Sequence, residues 1–468
     1  MTNNRYRIEA LAPPLGPTVV VIDDGSGLDW LILTAEHDRA SDINLAYSTS
    51  GTEGTPVQAA GFYLDVVSSE PEVTRGNRLI VTGAIENAQG SVGADTIAGN
   101  ILANILYGDP TEDGPGGADS LFGGAGNDLI FGGAGADQVG GAGDDDRIFG
   151  GLGADTLDGD GGRDTLEGGA GADDLTGGSD DGDTLSYLGS AAGVRVKLTY
   201  GDTTLGRGGD AEGDRIRGFD NILGSASGDV LEDTVKGTIA FGYNANLFEG
   251  RGGNDALWLG GGNDRGYGGD GSDSLYGEAG RDRLYGGDGS DTMLGGAGPD
   301  RIWGGHGFNY MSGEGGADTI TGGDQRDLVY GGDGGDTLHG EAGNDLIFAN
   351  DGSDSVSGGS GDDDIAGQTG ADILRGGAGQ DEFLYFGLKD GGDRILDMTA
   401  EDRVEFQLPF GGPDLSWDNS GPLGANQARL VDTGPDVELR VNLDTDAAIE
   451  FRITFVGAAS VAQAQIEL

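Results

Sequence analysis

Aspartate recurs every ninth residue through two stretches of this 468-residue chain. In the longer stretch, residues 250–384, fifteen consecutive units run without insertion or deletion, and the sixth position is aspartate in fourteen of them. These are Asp255, Asp264, Asp273, Asp282, Asp291, Asp300, Asp318, Asp327, Asp336, Asp345, Asp354, Asp363, Asp372 and Asp381, with Asn309 as the exception. The shorter stretch, residues 114–186, holds eight units with Asp119, Asp128, Asp137, Asp146, Asp155, Asp164, Asp173 and Asp183 in the same place. Carboxylates stacked at a fixed period repel one another, and a cation among them reverses the sign of that interaction. Oxygen is the only ligand type on offer, from these carboxylates and from the carbonyls of glycine-rich turns, because the chain has no Cys and three His. Hard oxygen donors on flexible loops suit Ca²⁺ better than Zn²⁺ or the stricter octahedron of Mg²⁺.

The elements that must hold these carboxylates follow from the rest of each unit, close to G-G-x-G-x-D-x-U-x with U a large apolar residue. Gly268 to Tyr276 is a faultless copy, and Gly286 to Leu294 another. Four of the first six positions are Gly or Asp, residues that turn the chain at positive φ or by bonding their own backbone. The last three form a short strand whose middle side chain points opposite to its neighbours. Turn, strand, turn, strand predicts one coil of a helical β-structure per two units, with parallel strands about 4.8 Å apart and a rod roughly 35 Å long for the longer block. The U residues meet inside as a thin core, each contributing roughly 1.5–3 kcal/mol. That core is too slight to order nine residues per unit without further help. Gly266 breaks the U column and Gln325 the fourth-position glycine column. In the shorter block the unit from Gly132 to Val139 reads as one residue short and the next, Gly140 to Phe149, as one long.

These units resemble the RTX (repeats-in-toxin, haemolysin-type) calcium-binding nonapeptides of proteins secreted by Gram-negative bacteria. The resemblance implies a parallel β-roll with Ca²⁺ between turns on the same side of adjacent coils. It implies ligands from the position-six aspartates above and from turn carbonyls near Gly124, Gly126, Gly151, Gly153, Gly269, Gly271, Gly287, Gly289, Gly296, Gly298, Gly332, Gly334, Gly359 and Gly361. Pairing each turn with the one two units along allows up to roughly nineteen calcium sites. The resemblance also implies type I export machinery as a transient partner, reading an uncleaved C-terminal signal. Asp390 to Asp397 is similar to the segment after the roll in serralysin-type metalloproteases, which implies nucleation of the roll there and makes Ala447–Leu468 the candidate export signal.

The remainder of the chain organises around the two blocks. Residues 1–113 and 187–249 share echoes: Ile85-Glu86-Asn87 with Asp95 and Ile97 returns as Phe219-Asp220-Asn221 with Asp229 and Leu231, and Ala103-Asn104-Ile105-Leu106 returns as Ala245-Asn246-Leu247-Phe248. An internal duplication follows, each preamble being irregular coils or a cap of the solenoid. Asp24 to Ile32 is a worn unit, and Val194 to Leu198 alternates as a longer half-buried strand. After residue 384, alternation in Val404/Phe406/Leu408, Val437/Leu439/Val441/Leu443 and Phe451/Ile453/Phe455 predicts an antiparallel cap of four or five strands over 385–468. The fold class is therefore all-β: a parallel β-roll, a calcium-binding β-solenoid, in two blocks (114–186 and 250–384) with degenerate strand-rich preambles and an antiparallel C-terminal cap.

Composition sets the remaining bounds. Eighty-one acids against 26 bases give a formal charge of −55, which repels nucleic acid and anionic membrane. No segment approaches the apolar length of a membrane-spanning helix, and the N-terminus lacks the apolar core of a cleavable signal, so extracellular delivery rests on the C-terminal route. No H-E-x-x-H, G-x-S-x-G or phosphate-loop motif occurs, and the G-x-G-x-x-G matches are by-products of the glycine period. His37 reads as a surface residue, and His306 and His339 lie inside repeats. The expectation is a non-catalytic, secreted calcium-binding protein that folds in extracellular calcium. The alternative is a surface adhesin or matrix protein in which the loaded rod binds polysaccharide or a cell surface. An ice-binding role needs a Thr row at position three, where the longer block has only Thr369. Position nine is often aromatic, and residues two units apart should stack outward: Tyr267, Tyr285 and Trp303 on one face, Trp258 and Tyr276 on the other.

Overall fold

The computed structural model describes residues 87–90, 92–111, 114–178, 182–199, 202–234, 245–387, 390–406, 427–442, 451–457, 461 and 465–467. It also gives the backbone of short strands at Asn4–Ile8, Thr18–Asp23, Trp30–Thr34, Asp42–Ala46, Tyr63–Leu64, Asn77–Ile80 and Ser416–Trp417. His37, the turn of the worn unit at 24–29 and much of the segment Ala447–Leu468 fall outside the described residues. The chain divides into two compact units, Met1–Thr234 and Val235–Leu468. Both are all-β, parallel β-solenoids, with a 3₁₀ turn at Gly209–Ala211.

In the second unit, two sheets alternate along the chain. One stacks Leu247–Gly252, Arg265–Asp270, Arg283–Asp288, Arg301–His306, Thr319–Gly323, Thr337–Ala342, Ser355–Ser360 and Ile373–Ala378, each parallel to the next. The other stacks Ala256–Trp258, Ser274–Tyr276, Thr292–Ala297, Tyr310–Gly315, Leu328–Asp333, Leu346–Gly352, Asp364–Ala366 and Glu382–Tyr385. Within the blocks, partners are eighteen residues apart (Leu257 with Leu275, Leu284 with Ile302), so one coil is two nonapeptides. Position eight faces inward throughout: Leu257, Leu275, Leu284, Met293, Ile302 and their successors to Phe383 are fully buried.

The first unit is built alike. Ile105–Tyr107, Leu129–Ala134, Arg147–Leu152, Thr165–Ala170, Thr184–Ser186 and Asn221–Leu223 form one parallel stack. Asn77–Ile80, Asp95–Ala98, Ser120–Ala125, Gln138–Gly143, Thr156–Gly161, Asp174–Thr176 and Arg215–Arg217 form the other. Preamble strands thus share the coil register of the repeats they flank. Arg195–Leu198 alternates exposed and buried and pairs in parallel with Val230–Asp233.

Two expectations change. The units around Gly140 are not one short and one long: Val139 pairs with Leu121, Gly140 with Phe122 and Ala142 with Gly124, so both units have nine residues and Gly140 is a ninth-position residue. The one extra residue of this block sits in its last unit, where Asp164 N–H bonds a carboxylate nineteen residues on instead of eighteen. At the C-terminal end, Arg394–Ile395 and Arg403–Phe406 pair in parallel with Ile373–Ala378 and Glu382–Tyr385. Val404 and Phe406 therefore continue the roll beyond Leu384. Among the described residues after Leu384, antiparallel pairing joins Gln427–Asp432, Val437–Asn442 and Phe451–Phe455. Alternation alone cannot separate these cases, because a half-buried strand has the same period in a roll and in a cap.

The Gly266 break has a local remedy. Its missing side chain leaves room that Leu259 fills: Leu259 is fully buried although it stands at position one, where its neighbours have glycine. A Cβ on Gly266 would lie 3.1 Å from Leu259 Cδ1, with Leu275 and Leu284 next. Leu259→Ala should lower the unfolding free energy of the calcium-loaded protein by about 2–5 kcal/mol. The swap L259G/G266L, which recreates the consensus, should recover most of that loss in thermal unfolding.

Candidate metal centre

Each repeat aspartate is held by the same local geometry. In the second unit the Oδ1 of a position-six residue accepts the backbone N–H of the position-six residue one coil earlier: Asp255 to Asp273 at 2.8 Å, Asp264 to Asp282 at 2.7 Å, Asp282 to Asp300 at 2.7 Å, Asp336 to Asp354 at 2.7 Å. The first unit repeats it, with Asp119 N–H to Asp137 at 2.7 Å and Asp128 N–H to Asp146 at 2.7 Å. Two columns therefore line each roll, one per turn side. All 22 predicted aspartates lie in them, and all are buried, none more than 3% exposed.

The second carboxylate oxygen is different. From Asp119 to Asp173, and from Asp273 to Asp381, the Oδ2 of every repeat aspartate is buried without a hydrogen-bond partner. Buried polar atoms are almost always paired, so a periodic row of orphaned acceptors marks a missing partner type. From Asp128 to Asp173, and from Asp273 to Asp381 apart from Asp354, the Oδ2 lies where a Cβ on the position-one glycine of the same unit would stand; Asp119 Oδ2 meets Gly108 in the same way. A Cβ on Gly268 would strike both Asp273 Oδ2 and the carbonyl of Gly286 one coil on, and the same clash recurs at Gly277, Gly286, Gly313, Gly340 and Gly358. At these six units a carboxylate oxygen and a carbonyl oxygen crowd the space a side chain would take, whereas Leu259 and Ala349 stand at position one of two others.

The fourteen glycines expected to supply carbonyls occupy positions two and four and all have positive φ, between 98° and 144°. Gly269 and Gly271 show why: a Cβ on either would strike the carbonyl of Arg251 or Gly253 in the preceding coil, so carbonyls converge on the turn from the coil below. Where position two is not glycine, as at Arg251, Glu278, Glu314, Glu341, Asn350 and Gln368, the backbone still keeps φ of 61–80°. Among the described residues no three carboxylates or imidazoles converge. Any cation here draws on carbonyl oxygens together with carboxylates, the donor set of a hard ion.

Electrostatics agree. Burial pushes the repeat carboxyls up from 3.8, opposed by the backbone N–H bond and aided by neighbouring aspartates: to about 7 for Asp146, Asp155, Asp282, Asp300, Asp318 and Asp354, and to about 9 for Asp119. These are carboxylates stripped of water with no counter-charge beside them.

Several members of the columns escaped the nonapeptide pattern. Asp95 N–H bonds Asp119 Oδ1, and Asn104 N–H bonds Asp128 Oδ1. Asn246 plays the part of Asn104 in the second unit, bonding Asp264, so the echoes at Asn104 and Asn246 mark equivalent places. At the other end Asp173 N–H bonds Asp214, Asp372 N–H bonds Asp393 and Asp381 N–H bonds Asp402. Asp214 and Asp393 both sit in Gly-Asp-Arg-Ile, a shared tetrapeptide that could have revealed them. Each lies beside a fully buried tyrosine, Tyr187 or Tyr385, and Tyr187 Oη donates to Asp214 Oδ2 at 2.9 Å. Elsewhere both oxygens are satisfied by the protein: Asp229 accepts from Val194 N–H, Ser225 N–H and Ser225 Oγ. Protein donors close the end of the first unit's column, whereas its middle is left open.

Asn309 provides an internal contrast. Its Oδ1 takes Asp291 N–H at 3.1 Å, as an aspartate would, but its Nδ2 occupies the place of the orphaned oxygen and donates to Gly307 O at 3.3 Å. A second, minor ladder was not foreseen: position-five side chains Asn254, Asn263, Asn344 and Asp362 accept the N–H eighteen residues later.

A family model described as RTX calcium-binding nonapeptide repeat (4 copies) matches residues 113–148, 149–183, 242–266, 267–302, 294–329, 330–365 and 357–384. The chain therefore carries RTX nonapeptide repeats, and such repeats bind calcium. No curated protein matches. Among solved structures, the chain is similar to the AlgE6R3 subunit of the Azotobacter vinelandii mannuronan C5-epimerase, at 23% identity over 38% of this chain and 78% of that one, with a TM-score of 0.18. It is also similar to the extracellular lipase LipA from Serratia marcescens, at 16% identity over 82% of this chain and 41% of the lipase, with a TM-score of 0.16.

The raised carboxyl pKa values carry a pH dependence with a definite sign. Between about pH 4 and 7 the folded roll holds more protons than the unfolded chain, so its stability is greatest at the acid end and falls as pH rises through the folded-state values. Without calcium, β-structure should be present near pH 4.5 and lost by pH 7.5, read by far-ultraviolet circular dichroism. With calcium in excess the trend should reverse, since the ion competes with protons for the same oxygens.

Proposed function

We propose that this is a secreted, non-catalytic calcium-binding protein whose two rolls fold when the chain meets extracellular calcium. The observation that carries the reading is the row of buried, unpartnered Oδ2 atoms, which in units such as those of Asp273, Asp291 and Asp345 share the space at the position-one glycine with the carbonyl of the following coil. The repeat aspartates at position six and the carbonyls of the glycine turns are the ligands in this reading. Calcium supplies the positive charge that the buried carboxylates lack. The ladder bond from Oδ1 holds each carboxylate in its turn and leaves Oδ2 for the ion. Tyr187 shuts the first unit's column with a hydrogen-bond donor in place of a cation.

Linkage sets the scale. At free calcium ten to a hundred times Kd, each occupied site adds about 1.4–2.7 kcal/mol. Extracellular modules bind at roughly 10⁻⁴–10⁻³ M, so many weak sites acting together keep the chain unfolded in the cytosol and fold it outside. RTX proteins are typically secreted, and no helix among the described residues is long and apolar enough to cross a membrane. Export through type I machinery by the C-terminal segment, the serralysin-like identity of that region and the absence of catalysis belong to this proposal.

A second reading, a surface adhesin or matrix protein, is favoured by one feature. Tyr267, Tyr285 and Trp303 stack at 4.7 and 4.5 Å with ring planes within 4°, and Trp258 stacks on Tyr276 at 5.2 Å. The rings are half-buried and form flat outward platforms.

Calcium titration of the chelated protein, followed by far-ultraviolet dichroism and by calorimetric stoichiometry, tests the first reading. Chelation should abolish the β signal at neutral pH. Asp282→Asn should remove about one bound calcium, and Asn309→Asp should add about one. Unchanged stoichiometry in both variants would dismiss the aspartate columns as the binding site.

A further inference from the structure

The outward face of one sheet in the second unit is chemically unlike the rest of the molecule. On the strands from Arg265–Asp270 to Ile373–Ala378, positions seven and nine carry no acid at all, in a chain with 81 acids and a charge of −55. At its N-terminal end, position seven is Arg265, Arg283 and Arg301 in consecutive coils, paired in direct register. Position nine of the same strands is Tyr267, Tyr285 and Trp303. The arginines are exposed or half-exposed, and no ion pair among the described residues uses them. The opposite sheet shows no such column: its position-seven residues over the same span are Ala256, Ser274, Thr292 and Tyr310.

Like charges directly opposite across adjacent strands destabilise a sheet, and acids to neutralise them are the commonest charged residues in this chain. An unneutralised guanidinium column beside a stacked aromatic column is therefore complementary to something outside the protein. The guanidinium fork matches a carboxylate bidentately, and the aromatic faces match the C–H faces of sugar rings, whose polar edges stay in water. The strands repeat about every 4.8 Å, comparable to the advance of one pyranose along an extended chain. A nucleic acid or an anionic bilayer has too large a footprint to avoid the surrounding negative field; a single thin polymer lies along the strip.

We infer that Arg265, Arg283 and Arg301, with Tyr267, Tyr285 and Trp303, form a binding strip for a carboxylated polysaccharide, one uronate per coil. This deepens the polysaccharide-binding reading above and rests on it. The test uses the calcium-loaded full chain and a short oligogalacturonate, below the length that gels with calcium, with its methyl ester as the uncharged control. Wild type should bind the acid form at least tenfold more tightly than the ester, and added salt should weaken binding. R265Q/R283Q/R301Q should lose that preference, and Tyr267→Ser with Tyr285→Ser and Trp303→Ser should lose affinity for both forms, while dichroism and calcium stoichiometry stay those of wild type. Equal binding of acid and ester, with loss only in the aromatic variant, would overturn the uronate assignment and leave a neutral-glycan platform. Binding of phosphatidylserine vesicles or single-stranded DNA as tight as that of the uronate would also overturn it. No binding of either sugar form would overturn both this strip and the polysaccharide reading.

Discussion

Everything in these rolls depends on placing a carboxylate where water cannot reach it. A buried charge is tolerated only when paired or hydrogen-bonded, and here the ladder provides for one oxygen of the carboxylate. Oδ1 accepts a ladder bond from the preceding coil, while from Asp273 to Asp381 Oδ2 has no hydrogen-bond partner. A carboxylate oxygen and a carbonyl oxygen crowded around one glycine, as at Gly268, repel unless a cation or a proton lies between them.

That condition explains the sequence economy. One large side chain per nonapeptide gives a core a single residue wide, from Leu257 to Phe383. Glycine at position one is favoured where the carboxylate and carbonyl occupy its side-chain space, as at Gly268, and glycine at positions two and four by positive φ and by carbonyls from the coil below, as at Gly269 and Gly271. The outer positions are free of these demands. They are where the two faces of the second unit diverge, one bearing an arginine column beside stacked rings and the other having Ala256, Ser274, Thr292 and Tyr310 in the corresponding places.

The departures from the repeat are equally physical. Leu259 fills the hole that Gly266 leaves, so the core column is restored from a different position of the neighbouring unit. The aspartates of Gly-Asp-Arg-Ile carry the ladder across the irregular segments at the end of each block, bridging 41 residues in one case and 21 in the other. Tyr187 then donates to the terminal carboxylate of the first unit's column. Coil-to-coil hydrogen bonding tolerates long excursions provided the strand that returns brings an aspartate and an inward apolar residue in the right order.

How much of this was legible beforehand depends on whether the information is periodic. The roll, the coil of two nonapeptides, the 22 aspartates, the fourteen turn glycines and the stacking of Tyr267, Tyr285 and Trp303 could all be read from residue types at a spacing of nine, because each position of the unit has one fixed orientation. The placement of Gly140 could not, since a glycine doublet offers two registers and only strand pairing with Phe122 chooses between them. Nor could the reach of the roll past Leu384, where Val404 and Phe406 alternate as cap strands do. Asp214 and Asp393 were hidden by sequence distance, and the orphaned second oxygen of the carboxylates from Asp119 to Asp173 and from Asp273 to Asp381 has no signature in the chain at all. Those were decided by tertiary structure, because hydrogen bonds between coils join residues that local spacing does not relate.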